Sequence, residues 1–397
     1  MNEREIKILK DEVRKLKIPP EYFGIRLDDF QHYQYNMYIS VRQVAGKTTQ
    51  SLLLGLLLVK NFPDKYSCIE YLRLDKSQIV RANIETIFDT IIDLGYFSKI
   101  YGEQWNNVKY HPQQRKFYLT KTDEDGNVIT EANDPICVVH AVEHSEEYKS
   151  SYVSHRSNYI VLDECFETSR PSYNIFVEFL NAISTIGRPL SPGRAENLIV
   201  LMLGNNQDEY SFWFDEFMVE VEDLKFGGYV NFRTEYNTTG IIRMLEQSEK
   251  HKERIRSKNI PFLGFTSKKA AAFTGLTEWS GKSYRHLEFE LNYDNLRFRR
   301  LYIEHRGRFI QLEYFVDPEH RKYIFAHFAA PPKYDDNIIL TLEPSDKQHV
   351  YGTGNKEERE KIFKICQDYF YLYDENRWYY ASNKVGSLID DYIKNCS

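Results

Sequence analysis

A glycine, a lysine and a threonine stand together at Gly46-Lys47-Thr48, between a predicted strand at 35–40 and an apolar run at 51–59. A strand, a tight loop and a helix are the context in which this sequence binds phosphate, because backbone N–H groups of the loop and helix start face the ligand. Lys47 would reach the β and γ phosphates, and the Thr48 hydroxyl would hold Mg²⁺. We therefore predict a site that binds and hydrolyses ATP, with Mg²⁺ as the metal.

The predicted phosphate loop begins ahead of the glycine. Its candidate nucleotide contacts are Arg42, Gln43, Val44, Ala45, Gly46, Lys47, Thr48 and Thr49. The pattern departs from the usual one at its first position, where Val41 replaces the glycine that takes positive φ most easily. Since short Gly-Lys-Thr sequences also arise by chance, an ordinary strand–helix turn is the alternative.

Two adjacent carboxylates, Asp163 and Glu164, end a second apolar stretch at 158–164. Its β-branched and aliphatic residues are typical of a strand buried on both faces. At such a strand end, an Asp holds the magnesium shell and the following Glu polarises the attacking water. Because successive strand residues point in different directions, the pair suits two roles. The alternative is an ordinary acidic strand end, which the order of the two motifs disfavours.

Composition narrows the classes of protein to consider. A chain of 397 residues can form two domains, and a net charge of −6 means that any basic surface must be local. The five cysteines include no Cys-x-x-Cys pair, which predicts neither a zinc site nor disulfides. The longest apolar run, 52–59, is too short to cross a membrane, and residues 1–17 are charged and helical in pattern, unlike a signal peptide. We expect no membrane partner.

Strands and helices alternate through the first half of the chain. Strands are predicted at 67–74, 116–119, 127–129, 136–142, 158–164 and 198–206, and helices at 82–94 and 174–186. This order predicts an α/β fold with a mostly parallel sheet and a ligand at the carboxyl ends of its strands.

The pattern changes after Asn206. A charged helix is predicted at 241–258, short strands at 284–291, 298–304, 308–316 and 323–326, and a helix at 357–372. We predict an ATPase domain over 1–208, a linker or helical region over 209–256 and an α+β domain over 257–397.

Three motifs together resemble the viral genome-packaging ATPases, or large terminases. Arg42-Gln43 before the Gly-Lys-Thr sequence is similar to their Arg-containing phosphate loop, although the arginine stands one place earlier and Gln43 takes its position. The acidic pair is similar to their acidic motif, and 203–206 to their coupling motif, where Asn205 ends a buried strand near the γ-phosphate. Spacing and size most resemble the packaging ATPase of small protein-primed tailed phages (Picovirinae type). The similarity covers residues 30–210 and, more faintly, 284–330.

The resemblance implies a P-loop ATPase domain of the ASCE type, followed by an α+β RNase H-like domain that has lost its nuclease metals. It implies a homo-oligomeric ring, a pentamer, that docks on the portal of a procapsid and threads double-stranded DNA through its pore. The expected location is the host cytoplasm, with transient docking on the procapsid and absence from the mature virion. A structural RNA is left open as a further partner.

The family also shares each catalytic site between neighbouring subunits, and an inserted arginine finger speeds hydrolysis by a factor of about 10³–10⁵. Arg188, at the end of the predicted 174–186 helix, is the candidate, with Arg194 second. The alternative is a solvated arginine that stabilises the helix end. Lys149 is a second trans-acting candidate against a plain surface loop, and Arg73 is a weaker one.

The second domain offers both acidic and basic candidates. An active two-metal nuclease site would draw on Glu304, Glu313, Asp317 and Glu319. No predicted strand carries the buried central Asp that such a site would require, so we expect a non-cleaving domain. Its phosphate contacts would be Arg297, Arg299, Arg300, Arg306 and Arg308, which bind without regard to base sequence. The alternative is a solvated edge hairpin whose charges prevent aggregation.

Four other functions stay open at this level: a large terminase with an active nuclease, another P-loop translocase or helicase, a P-loop kinase, and a nucleotide-gated scaffold. The adjacent Asp163 and Glu164 favour activation of water, which disfavours a kinase. A scaffold would tolerate loss of Glu164, whereas an ATPase would not.

Overall fold

The computed structural model of the chain describes residues 1–18, 24–40, 46–143, 145, 157–166, 175–187, 198–206, 211–221, 224–235, 237–246, 253, 284–296, 301–333, 337–347 and 349–396. The chain forms two compact units, one from Met1–Gln207 and Glu216–Ser280 and the other from Asp208–Asp215 and Gly281–Ser397. The domain boundaries at 208 and 257 stay predictions, although residues 229–244 contribute two strands to the first sheet.

The first unit contains a nine-stranded sheet with helices beside it. Its strands are β1 (Tyr35–Ser40), β2 (Ile69–Arg73), β3 (Asn107–His111), β4 (Lys116–Thr122), β5 (Val128–Ala141), β6 (Tyr159–Asp163), β7 (Ile199–Asn205), β8 (Tyr229–Arg233) and β9 (Thr239–Met244). Its helices are α1 (Glu3–Leu16), α2 (Asp29–His32), α3 (Lys47–Asn61), α4 (Arg81–Ile84), α5 (Asp89–Asp93), α6 (Tyr96–Tyr101) and α7 (Ile175–Ile186), with a 3₁₀ turn at Lys76–Ile79.

The strand order of this sheet is β3-β4-β5-β2-β6-β7-β1-β9-β8. The six strands from β5 to β9 in this order run parallel, and β3, β4 and β8 are antiparallel to their neighbours. β7 therefore lies between β1, which precedes the phosphate loop, and β6, which carries the carboxylates. This interposed strand is the arrangement of ASCE P-loop ATPases, and the predicted fold class is confirmed.

Helix α3 begins where the loop ends. Gly46 precedes it with a φ of 56°, in the left-handed region that glycine adopts easily. The residues from Gln50 to Leu58 are all buried, which explains the apolar run in the sequence. At Gly55 an added Cβ would lie 2.5 Å from Ile69 Cδ1 of β2, so a glycine is what allows the helix to approach the sheet this closely.

The second unit has its own six-stranded sheet. Its strands are β10 (Leu301–His305), β11 (Arg308–Val316), β12 (Lys322–Ala329), β13 (Ile338–Thr341), β14 (Val350–Gly352) and β15 (Trp378–Tyr380). Its helices are α8 (Phe212–Glu216), whose last residue belongs to the first unit, α9 (Lys356–Ile365), α10 (Gln367–Asp374) and α11 (Asn383–Asn395), and a 3₁₀ turn spans Tyr293–Asn295.

The order in this sheet is β14-β13-β10-β11-β12-β15. β10, β11 and β12 are antiparallel neighbours, while β13 and β14 continue the sheet in parallel on the other side of β10. This is the strand order of RNase H-like domains, with β15 added beside β12. Residues of α9, α10 and α11 complete the core on one face of the sheet.

Two sequence-based assignments are wrong. Residues 241–244 of the predicted 241–258 helix form part of β9, where pairing with β1 outweighs helical propensity. The predicted strand at 284–291 forms no strand; instead the Arg285 carbonyl accepts a hydrogen bond from Tyr380 N, at 2.9 Å, beside β15. The helices predicted at 82–94 and 357–372 exist as the shorter pairs α4–α5 and α9–α10.

An ion cluster fixes α11 to the turn between β10 and β11. Asp391 Oδ2 accepts hydrogen bonds from His305 Nε2 and Arg306 Nε, both at 2.8 Å. Burial opposes the charge of Asp391, but the hydrogen bond from His305 and the charge of Arg306 outweigh it and lower its pKa to about 2. Asp391 therefore stabilises the second unit in its ionised form.

This cluster predicts a pH-dependent stability. The folded-state pKa of Asp391 lies below its ordinary value of 3.8, so its contribution is present above about pH 4 and is lost as the pH falls towards 2. Asp391→Asn should cost at least about 2 kcal/mol of unfolding free energy at about pH 6, and the difference from wild type should shrink at about pH 3. Urea denaturation at the two pH values measures both. A difference that is equal at both would show that the carboxylate charge contributes nothing.

Candidate functional site

Polar side chains gather where the central parallel strands end. The pairing of β1 with β7 places Ser40 beside Asn205, and that of β6 with β7 places Asp163 beside Leu203. β2 ends at Arg73, one residue after Leu72, which pairs with Leu162 of β6. Because parallel strands share a carboxyl edge, Ser40, Asn205, Asp163 and Arg73 lie along one edge of the sheet.

Lys47, the first residue of α3, reaches this edge. Its Nζ donates to Ser40 Oγ at 2.8 Å and to Asn205 Oδ1 at 2.9 Å. Asn205 is buried, and the amide oxygen that it presents is a neutral acceptor. The structure thus brings the lysine of the loop together with the asparagine that sequence reasoning placed near the γ-phosphate.

Thr48 meets Asp163 beside this lysine. Thr48 Oγ1 donates to Asp163 Oδ2 at 2.6 Å, and only 2 % of Asp163 is exposed. A hydroxyl and a carboxylate are oxygen ligands of the type that Mg²⁺ prefers, and phosphate oxygens and water complete its shell in P-loop sites. The donor set therefore fits Mg²⁺. The described residues contain no group of three or more His, Cys, Asp or Glu side chains that could hold a metal alone.

The Asp163 carboxylate has further partners on both oxygens. Tyr71 OH donates to Oδ2 at 2.6 Å, and an Arg73 guanidinium nitrogen lies 3.3 Å from the same oxygen. The backbone N–H of Glu164 donates to Oδ1 at 3.0 Å. A buried carboxylate needs such compensation, because an unpaired charge away from water is costly.

Arg73 connects the two carboxylates. One guanidinium nitrogen contacts Asp163 and another forms an ion pair with Glu164 Oε2, while Nε donates to Tyr71 OH at 3.0 Å. Burial opposes the charge of Arg73, but its contacts with the Tyr71 hydroxyl and with the Asp163 and Glu164 carboxylates raise its pKa above the ordinary value, so Arg73 stays cationic.

Glu164 has an unusual backbone at this position. Its φ of 57° is in the left-handed region, which costs a residue with a side chain about 1 kcal/mol or more. Its side chain is 37 % exposed, compared with 3 % for Asp163. The glutamate can therefore meet a water molecule, but in this structure its Oε2 is engaged by Arg73. Activation of water by Glu164 would require this ion pair to lengthen.

Several predicted site residues lie outside the described residues, and their roles stay predictions. They are Arg42, Gln43, Val44, Ala45, Lys149, Arg188, Arg194, Arg297, Arg299 and Arg300. Thr49 lies in the first turn of α3, next to Thr48.

The two described basic candidates of the second unit are engaged in ion pairs. Arg306 is only 7 % exposed, binds Asp391 and lies over the ring of Phe212 at 5.2 Å. Arg308 is 32 % exposed, and a guanidinium nitrogen lies 2.9 Å from Asp215 Oδ1. A phosphate contact by Arg306 would require its ion pair to break, whereas Arg308 retains an accessible side.

The structure does not bring the four acidic candidates of the second unit together. Glu313 is buried in β11 and accepts from Gln311 Nε2 at 2.7 Å. Asp317 and Glu319 follow the end of β11, and both pair with Arg321. Glu304 lies in β10, where it pairs across the ladder with Phe309. The carboxylates of Glu313, Asp317 and Glu319 therefore have separate local partners, and the described residues contain no group of three or more such side chains that could hold a metal.

Sequence reasoning missed Tyr71 and ranked Arg73 low. The available signal was their spacing, because residues two apart in a strand share a face. Two long polar side chains on one face of the otherwise apolar end of β2 indicate a ligand or a buried charge beside that strand.

No protein-family model and no curated protein sequence matches the chain. Among solved structures, the chain is similar to the large terminase ATPase domain of Thermus phage P74-26, with 9 % identity over 66 % of this chain and 94 % of that one and a TM-score of 0.38. It is also similar to the large terminase of bacteriophage HK97, with 12 % identity over 99 % of this chain and 74 % of that one and a TM-score of 0.35. At these identities and scores, the similarity establishes neither fold nor activity. In the described residues, no helix has both the length and the apolarity to cross a membrane.

Removal of Arg73 tests the charge balance of the site. Arg73→Ala leaves two neighbouring carboxylates without their cation, so the unfolding free energy should fall by about 3–5 kcal/mol. Arg81→Ala is the matched control, because its pair with Glu85 is 67 % and 45 % exposed and solvent screening leaves such a pair with little effect on stability. Urea denaturation near neutral pH measures both. An Arg73 variant as stable as the Arg81 variant would mean that the buried carboxylates do not need this guanidinium.

Proposed function

We propose that the chain is an ATP-driven motor that moves double-stranded DNA into a viral procapsid, of the type found in small protein-primed tailed phages. The observation that carries the proposal is the convergence of Lys47, Thr48, Asp163 and Asn205 at one edge of an ASCE-ordered sheet. Three separated sequence motifs supply these residues, and the fold joins them. The resemblance of the same motifs to packaging ATPases supplies the specific task.

The side chains of this edge support hydrolysis over phosphate transfer to another molecule. Lys47 is positioned to neutralise charge on the terminal phosphates, and Thr48 and Asp163 would hold Mg²⁺, which supplies further neutralisation when bound. Glu164 is the accessible carboxylate that would orient water. Asn205, hydrogen-bonded to Lys47 from the end of β7, would respond to the presence of the γ-phosphate. A kinase would need an acceptor site in place of this water-orienting carboxylate.

The proposed motor works as a homo-oligomeric ring, a pentamer, with Arg188 of one subunit acting at the site of the next and Lys149 assisting. Arg188 stands two residues after the end of α7, the helix that follows β6 in the chain. Arg73 is paired with the two carboxylates of its own subunit, so the cation that acts on the γ-phosphate would come from the neighbouring subunit. Isolated subunits should therefore hydrolyse ATP slowly.

The second unit is proposed to grip DNA or the portal without cutting. Arg297, Arg299 and Arg300 precede β10 in the sequence, and Arg308 begins β11. Their contacts would be with phosphates and independent of base sequence, as translocation requires. The portal of the procapsid, a structural RNA and a transient location on the procapsid in the host cytoplasm belong to the same proposal.

The first test is ATP hydrolysis with and without linear duplex DNA. The wild-type chain should be stimulated by DNA, and the DNA should remain intact in the presence of Mn²⁺. Lys47→Ala should lose at least about 10²-fold in rate, as expected for loss of a group that stabilises developing charge. Turnover of a small acceptor alcohol would indicate a kinase instead, nicked or shortened DNA would indicate a nuclease, and no ATP turnover in any condition would overturn the proposal.

Mixing inactive variants tests the shared site. Glu164→Gln should bind ATP without turning it over, and Arg188→Ala should bind ATP with nearly wild-type affinity but hydrolyse it slowly. In mixed rings, an intact Glu164 site can face an intact Arg188, so some activity should return relative to either variant alone. The readout is ATPase rate against mixing ratio, with Lys47→Ala plus Glu164→Gln as the control pair that damages the same site. Mixtures as inactive as their components would contradict a shared site.

A further inference from the structure

Tyr71 is wholly buried in the middle of β2, yet its hydroxyl faces the carboxylate predicted to hold the metal. Its described hydrogen bonds are with Asp163 and Arg73. None of them reaches Lys47, Thr48 or Glu164. We propose that Tyr71 is a positioning residue: its hydroxyl fixes Asp163 in the orientation that directs Thr48 towards Mg²⁺. This inference rests on the proposed nucleotide site.

The geometry at Asp163 Oδ2 carries the proposal. Tyr71 OH and Thr48 Oγ1 both donate to this one oxygen, each at 2.6 Å. A carboxylate oxygen has two lone-pair directions, so the two hydroxyls can occupy one each. Oδ1 is held by the Glu164 N–H at 3.0 Å. With contacts on both oxygens, the carboxylate cannot rotate without breaking a hydrogen bond.

The orientation of Asp163 determines the orientation of Thr48. A threonine hydroxyl that donates its only proton to Asp163 keeps both oxygen lone pairs for other partners. Those lone pairs are what a magnesium ion would bind. Without the Tyr71 hydroxyl, Oδ2 would keep only the longer contact with Arg73, at 3.3 Å, beside Thr48, so Asp163 would be held less firmly and Thr48 would lose a precisely fixed proton acceptor. The tyrosine therefore acts on the metal through two other residues.

Arg73 determines the direction of hydrogen bonding in this chain of groups. Arg73 Nε can only donate, so Tyr71 OH accepts from it at 3.0 Å and uses its own proton for Asp163. Successive hydrogen bonds of this kind strengthen one another in a dry interior.

The same unit contains a second cluster of this composition, which provides a control. Tyr38, also wholly buried, donates to Asp29 Oδ2 at 2.7 Å. Arg243 binds both oxygens of Asp29, at 2.6 and 2.7 Å. Asp29 lies in α2 and has no contact with Thr48 among its described hydrogen bonds, so loss of the Tyr38 hydroxyl should affect the fold without affecting metal binding.

The test compares Tyr71→Phe with Tyr38→Phe in binding of a fluorescent ATP analogue, titrated with Mg²⁺ and repeated in EDTA. Each substitution removes one buried hydroxyl from a Tyr–Asp–Arg cluster. Tyr71→Phe should raise, by about tenfold, the Mg²⁺ concentration that gives half of the maximal increase in analogue binding, which is the usual consequence of losing a hydrogen bond to a charged group. The affinity for the analogue in EDTA should stay unchanged. Tyr38→Phe should leave the Mg²⁺ dependence at the wild-type value.

A second measurement separates positioning from a general loss of structure. In a Thr48→Ala background, Tyr71→Phe should no longer change the Mg²⁺ dependence, because the group through which it acts is gone. Unchanged Mg²⁺ dependence of Tyr71→Phe, equal losses with and without Mg²⁺, or effects that simply add to those of Thr48→Ala would each overturn the inference. Failure of the wild-type chain to bind the analogue at all would instead overturn the proposed nucleotide site.

Discussion

A carboxylate that is almost completely buried, Asp163, is the constraint on which the first unit depends. Its charge is tolerable only because donors from other elements surround it: Arg73 and Tyr71 from β2 and Thr48 from α3. Those donors reach it only if β2 and β6 pair in the observed register and α3 begins at Lys47. Pairing of β2 with β6, docking of α3 and formation of the site therefore depend on one another.

The local sequence was sufficient to predict the helices and strands that coincide with an uninterrupted apolar run. Residues 52–58 are apolar apart from Gly55 and residues 199–203 are apolar throughout, and the structure buries both stretches, in α3 and β7. The acidic pair and the phosphate loop could be predicted from the sequence because the residues of each motif are adjacent in the chain. Local pattern failed where partners decide the outcome, as in β9, which is a strand because β1 lies beside it. Tyr71 was missed for the same reason, since its role comes from a residue 92 positions away.

The second unit keeps an RNase H-like strand order while its charged groups serve its own packing. Glu313 is bonded to Gln311 within β11, Asp317 to Arg321 in the turn that follows, and Arg306 to Asp391 of α11. The first two contacts are local, and the third joins the turn after β10 to α11. In the described part of this unit, the acidic side chains thus stabilise the domain, and a role in binding falls to groups with accessible faces such as Arg308.

The path of the chain has a practical consequence for anyone who wishes to separate the two units. β8 and β9 lie in the sequence after residues 208–215, which belong to the second unit, yet β9 pairs directly with β1. A fragment that stops at residue 208 would leave the N–H and C=O groups of one whole side of β1 unpaired, and such bare strands recruit other chains. Dissection by truncation at residue 208 would therefore yield an aggregating product, and an independently soluble fragment of the first unit must retain residues 229–244.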